Sequence, residues 1–141
     1  GPVNKYTIEP VDIDMLPAIW NIFLPFLKMY EKWQDDTTTD NYLNWCVNGE
    51  AQLWAVFDKG IPCGAILTEE RICKDSGQSG LVALALGGIG GCKWGGFAWD
   101  YFCDRARERG FNRFSFEGRK GWGRVLGKKP VAYRYEEVLN G

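Results

Sequence analysis

The chain contains no histidine. That excludes Ser-His-Asp and Cys-His hydrolases, histidine-ligated metals and the usual near-neutral proton carrier. Any proton transfer falls to carboxylates, tyrosine, lysine, thiols or water. The five cysteines, Cys46, Cys63, Cys73, Cys92 and Cys103, are odd in number, and none forms a C-x-x-C pair. They suggest neither a disulfide framework nor a common zinc knuckle and read as reduced, buried thiols. No stretch approaches the roughly 20 apolar residues of a membrane span. No basic segment followed by an apolar run marks a secretion signal. The expectation is a soluble, cytoplasmic protein that does not engage a membrane. Internal repeats and low-complexity linkers are missing too, and Gly1-Pro2 reads as the remnant of a cleaved purification tag.

What is present is apolar and aromatic. With 141 residues, 45% of them hydrophobic, and seven Trp, six Tyr and eight Phe, residues 3–141 have the material for one domain with one core. The net charge of -1 hides an asymmetry, because residues 105–134 carry ten Lys/Arg against two Asp/Glu. Such a basic segment suits a phosphorylated ligand, an acidic partner or nucleic acid, and equally a solvated face.

Periodicity divides the chain into elements. Tyr6–Val11 alternates as a strand. A helix follows, capped by Asp12 or Asp14, with Leu16, Ile19, Trp20, Phe23, Leu27 and Tyr30 at helical spacing and an end near Gln34. Pro25 lies inside that run and predicts a kink or two helical pieces. A short helix at Asn41–Val47 is closed by Asn48-Gly49. Strands Gln52–Phe57 and Ile61–Cys73 flank the hairpin signal Asp58-Lys59-Gly60. Leu81–Leu86 is an apolar run suited to a strand buried on both faces. The spacing then predicts a helix over Phe97–Arg109, a strand at Phe111–Glu117, a loop or short helix at Gly118–Gly127 and a last strand at Val131–Leu139.

Between the apolar strand and that helix, six of the ten residues from Gly87 to Gly96 are glycine. A glycine turn ahead of a helix N-terminus offers free backbone N–H groups to an anion, and Lys93 adds a full charge. A P-loop does not fit, since Cys92 and Trp94 flank the lysine where glycine and Ser/Thr belong. A Rossmann fingerprint from Gly88 would need its third glycine at Lys93. A flexible glycine loop without a ligand is the plain alternative.

Lys93-Trp94-Gly95-Gly96-Phe97-Ala98 is similar in spacing to the R/Q-x-x-G-x-G/A motif of the GNAT acetyltransferases, with Lys in the first place. The order of elements also resembles that superfamily. The resemblance implies an α+β fold, layered α/β/α, with a mixed, mostly antiparallel central sheet. It implies acetyl-CoA or CoA as cofactor, with the pyrophosphate held by amides near Gly95, Gly96, Phe97 and Ala98 and the pantetheine by backbone around Leu84, Ala85 and Leu86. A second stretch, Phe114–Trp122 with Arg124-Val125-Leu126, resembles small bacteriophage-encoded GNAT-like proteins. That implies a phage source and a bacterial host enzyme as a partner. Nucleic acid is the weaker reading of the basic segment.

Acetyl transfer to an amine needs a polarised thioester carbonyl, a deprotonated amine and a stabilised leaving thiolate. Glu117, ending a strand beside the expected cleft, is the first candidate for the base, with Glu69 and Glu70 as alternatives. A carboxylate paired with Arg119 or Arg124 is the structural alternative for Glu117. The tyrosine that the family often places after the fifth strand is missing between Gly118 and Gly127, leaving Tyr133 as the candidate acid, with Tyr135 nearby. Trp94, Trp99 and Trp122 could line a cleft or belong to the core. Three functions follow in order: an N-acetyltransferase acting on an unidentified amine, a catalytically silent GNAT-like protein that binds a host enzyme or belongs to a virion, and a nucleic-acid binder.

Overall fold

Five strands stand side by side in the order they occur in the sequence: β1 (Tyr6–Pro10), β2 (Gln52–Asp58), β3 (Ile61–Cys73), β4 (Gln78–Gly88) and β5 (Arg113–Phe116). This computed structural model describes residues 5–31, 39–117, 121–129, 131 and 137. The first four strands are antiparallel, whereas β5 runs parallel to β4, because α3 (Gly91–Glu108) carries the chain back between them. A 3-10 turn at Ile13–Met15 leads into α1 (Leu16–Glu31), and α1 and α2 (Tyr42–Val47) cover one face of the sheet. The other face is covered by α3, with α4 (Gly121–Leu126) against it. The expected mixed, mostly antiparallel sheet between helices is what the chain forms.

Alternation along the strands explains the two cores. Leu53, Ala55, Ala65 and Leu67 point towards α1, where Leu16, Trp20, Phe23, Leu27 and Tyr30 meet them. Trp54, Val56 and Ile66 point the other way, towards Trp94, Ala98, Phe102 and Ala106 of α3. The hairpin at Asp58-Lys59-Gly60 closes as expected: Asp58 pairs with Ile61, and Lys59 and Gly60 both take positive φ, 49° and 84°. That is the two-residue geometry whose twist matches the strands.

Two elements depart from the sequence-based expectation. α1 runs unbroken from Leu16 to Glu31 through Pro25. Pro25 is exposed, so the carbonyl its ring leaves unpaired faces water, while Phe23 and Leu27 anchor the helix in the core on either side. α3 starts at Gly91, six residues ahead of the expected Phe97. Glycine's poor helix propensity hid this start, yet Trp94, Ala98, Phe102 and Ala106 recur every fourth residue and all lie in the core. Of the last expected strand only Val131 and Glu137 are described, so that strand and Tyr133 lie outside the described residues.

Candidate functional site

The sheet forks at one point. β4 and β5 pair from Gly80 and Arg113 as far as Ala83 and Phe116. Beyond that pair, Leu84–Gly88 have no β5 partner among the described residues and keep only the β3 side of their ladder. The β3–β4 register slips at the same place: Thr68 faces Ala83 and Leu67 faces Ala85, so Leu84 is one residue too many. A β-bulge of this kind leaves its extra residue out of the ladder and bends the strand. Leu84 and Ala85 consequently both turn towards the α1 core, while Ala83 and Leu86 face α3. Glu117 follows the last paired residue of β5 as Leu84 follows that of β4, so the two stand on opposite prongs of the fork.

The α1 face of the fork is held from behind. Gly87 lies so close to α1 that a Cβ there would come within 2.0 Å of the Phe26 carbonyl oxygen. Four residues after Phe26, the Tyr30 hydroxyl, buried at the end of α1, donates to the Glu117 carbonyl oxygen at 3.0 Å. Thus one helix fixes both prongs.

β4 then runs through Ile89 into Gly90, the N-cap of α3, in the left-handed region at φ 69° with no side-chain cap. Its carbonyl accepts from the Lys93 amide at 2.8 Å, and the amides of Gly91 and Cys92 begin the helix. These amides carry the positive end of an 18-residue helix, the arrangement that draws phosphate. Lys93 is exposed on the same first turn.

The early start of α3 redistributes the residues named from the sequence. Gly95, Gly96, Phe97 and Ala98 lie in its second turn, where amides donate to carbonyls four residues back. Trp94 is core, 1% exposed, its indole N–H donating to the Ile89 carbonyl at 3.0 Å. Gly95 is a packing position: a Cβ there would meet the Trp122 ring at 2.7 Å. Gly96 is exposed, with nothing within 4 Å of a Cβ. Trp122, on α4, also touches the position of a Gly91 Cβ at 3.4 Å and meets Phe116 edge-on at 5.7 Å. It closes the α3 side of the fork over an apolar void of ≈ 30 Å³. Trp99 packs against Phe114, with the Lys128 ammonium over the Trp99 ring at 5.8 Å.

Glu69 and Glu70, the alternative bases, lie elsewhere. They border an open groove of ≈ 680 Å³ by the start of β4 and the end of α3. Both are engaged there: Glu69 pairs with Arg71, and Glu70 takes Arg109 at 2.8 and 3.1 Å. Arg105 and Arg107 pair with Glu108 and Asp104 on their own helix. This part of the basic segment is a solvated face of ion pairs, far from the α3 N-terminus. Nor do three of the described thiols favour the thiolate: burial pushes Cys46 up to about 11 and raises Cys63 and Cys103. Cys73 is lowered by hydrogen bonds from Ser76, but it sits on the β3–β4 hairpin. The side chain of Cys92 lies outside the described residues.

The fork and the helix that follows it define a fold class, and solved structures of acetyltransferases share it. A ribosomal-protein-alanine N-acetyltransferase from Brucella melitensis biovar Abortus 2308 superposes with a TM-score of 0.64 at 12% identity, over 96% of this chain and 99% of that one. An aminoglycoside acetyltransferase from an uncultured soil metagenomic sample, in complex with sisomicin, gives 0.69 at 12% identity over 97% and 98%. A predicted acetyltransferase from Clostridium acetobutylicum, with acetyl-CoA, gives 0.62 at 11% identity over 94% and 96%. The chain therefore shares the GNAT acetyltransferase fold with these structures over 94–97% of its length. No family model matches its sequence, and no curated protein matches it. No helix among the described residues is long and apolar enough to cross a membrane.

Proposed function

We propose that this protein is an acetyl-CoA-dependent N-acetyltransferase whose reaction takes place at the fork between β4 and β5. One observation carries the reading: the bulge at Leu84 falls on the residue where β5 leaves β4, and the open edge that follows runs directly into the uncapped N-terminus of α3. The donor set fits acyl-CoA. Backbone at Leu84, Ala85 and Leu86 suits the amides of the pantetheine arm, and the amides of Gly91 and Cys92 with Lys93 suit the pyrophosphate. Acetyl-CoA supplies the activated acetyl group. The chain's own contribution is to orient and polarise: the Leu84 N–H, displaced from the ladder, is the donor for the thioester carbonyl.

Glu117 is the base in this reading, on the opposite prong. It takes the proton that the acceptor amine loses as the new amide forms. Glu117→Gln should therefore slow acetyl transfer by roughly 10²-fold while leaving acetyl-CoA affinity unchanged. Measuring CoA release against an amine panel, with binding measured separately, checks both halves. Full activity in the Gln variant makes Glu117 structural. Tyr133, a tyrosine near in sequence to the place where the family's is missing, is the candidate acid, and Tyr133→Phe tests it.

A second reading is favoured by Trp122, which fills the space beside the first two turns of α3. The same fold could then serve as a silent GNAT-like protein directed at a bacterial host enzyme, in keeping with the phage-like stretch from Phe114 to Leu126. Trp122→Ala should open that space. If only this variant binds acetyl-CoA, the silent reading is the better one.

A further inference from the structure

α1 and the 3-10 turn before it carry a second apolar stripe, only part of which the core uses. Met15, Ile19, Ile22, Phe26 and Met29 recur at alternating steps of four and three, the spacing of a helix-pairing seam. The core-facing residues Leu16, Trp20, Phe23, Leu27 and Tyr30 form their own stripe one position on, and these are buried. Ile19 and Phe26 border that core, whereas the rest of the outer stripe is open: Met15 is 51%, Ile22 49% and Met29 39% exposed. Sixteen residues of helix hold only two charged side chains, Lys28 and Glu31. A surface helix normally carries charge opposite its buried face.

The residues flanking the stripe say what covers it. Asp14, in the 3-10 turn that leads into α1, and Asn21 and Lys28 of α1, seven apart, run along one flank of the Ile22 face. Neither Asp14 nor Lys28 makes an ion pair among the described residues. A two-fold axis through Ile22, with the helices antiparallel, lays Met15 on Met29 of a second copy. The same operation keeps each flank on its own side, so Asp14 of one copy comes level with Lys28 of the other to within about 3 Å along the axis. Two such pairs form, with Asn21 facing Asn21 between them, and the helix dipoles oppose favourably. The seam is thus self-complementary in shape, charge and dipole.

We propose that α1 pairs antiparallel with α1 of a second copy of this chain, making an isologous dimer on Met15, Ile22 and Met29, flanked by Asp14–Lys28 ion pairs. One helix face is smaller than the roughly 800 Å² per partner of a standard interface, so association in the micromolar range is expected. Sedimentation equilibrium of the full chain over a wide concentration range tests this. The parent should dimerise reversibly, and Ile22→Glu should weaken the dimer by roughly 100-fold or more with an unchanged melting temperature, since the position is exposed. Asp14→Lys and Lys28→Asp should each weaken it by roughly tenfold, and the double exchange should restore it. That restoration cannot come from a change in folding. A chain that stays monomeric at high concentration, the face then belonging to some other protein, overturns the proposal. So does a dimer that Ile22→Glu leaves intact, or a double exchange that fails to recover.

Discussion

Gly87→Ala should cost roughly 3 kcal/mol and lower the melting temperature by about 10 °C, although it adds a single methyl group. The added carbon would sit 2.0 Å from the Phe26 carbonyl oxygen and 3.1 Å from the Met29 Cβ. Both belong to the frame of α1, which cannot swing aside as a flexible side chain could. Relief requires α1 to lift from β4, and α1 also holds the other prong of the fork through Tyr30 and the Glu117 carbonyl. Acyl-CoA affinity should fall with stability. Gly96→Ala is the matched control. It lies in an exposed helical turn with nothing within 4 Å, so alanine there should stabilise by roughly 0.5–1 kcal/mol and leave binding untouched. Thermal melts of the two variants should move in opposite directions. A Gly96→Ala protein that loses acetyl-CoA binding would return the pyrophosphate site to the second turn of α3, where the motif resemblance had put it.

Deleting Leu84 should abolish most turnover with little damage to the fold. A bulge residue is the one strand position whose removal leaves the alternation of its neighbours intact: Ala83 still faces α3 and Ala85 still faces α1. The cost in stability is the packing of one half-buried leucine, roughly 1–2 kcal/mol. The cost in rate is larger, because the N–H that the bulge turns out of the ladder is removed with the residue. Loss of one such donor slows acyl transfer by roughly 10²–10³-fold. Circular dichroism and a melt establish the fold, and CoA release with an amine acceptor reads the rate. Turnover within about twofold of the parent would mean the bulge has no part in the chemistry.

The sequence carried the sheet well and the site unevenly. Ile61–Cys73 matches β3 at both ends, whereas β4 begins at Gln78, three residues before the apolar run, and β5 is shorter than Phe111–Glu117. The Asp58-Lys59-Gly60 turn could be named because only a few residues tolerate two consecutive positive φ angles. The start of α3 was hidden because its glycines argue locally for a loop. In the fold they admit Trp122 against the helix, a contact between residues almost thirty apart that no local pattern encodes. The same holds for Gly87, counted with the glycine turn but required by the approach of α1. The bulge at Leu84 is a register slip between two strands, visible only when both are paired. Tyr30 had no sequence signal beyond its helical spacing, and only the sheet fork shows why its hydroxyl is needed. Pro25 was over-read, because core packing on both sides of it outweighs one lost hydrogen bond.

Titration calorimetry with acetyl-CoA is the decisive measurement, since binding at the fork must precede any chemistry there. Saturable one-to-one binding in the micromolar range is expected, weakened by Lys93→Ala through loss of a phosphate partner and unaffected by Gly96→Ala. No heat and no competition at millimolar acetyl-CoA, in a protein that melts cooperatively, would contradict it.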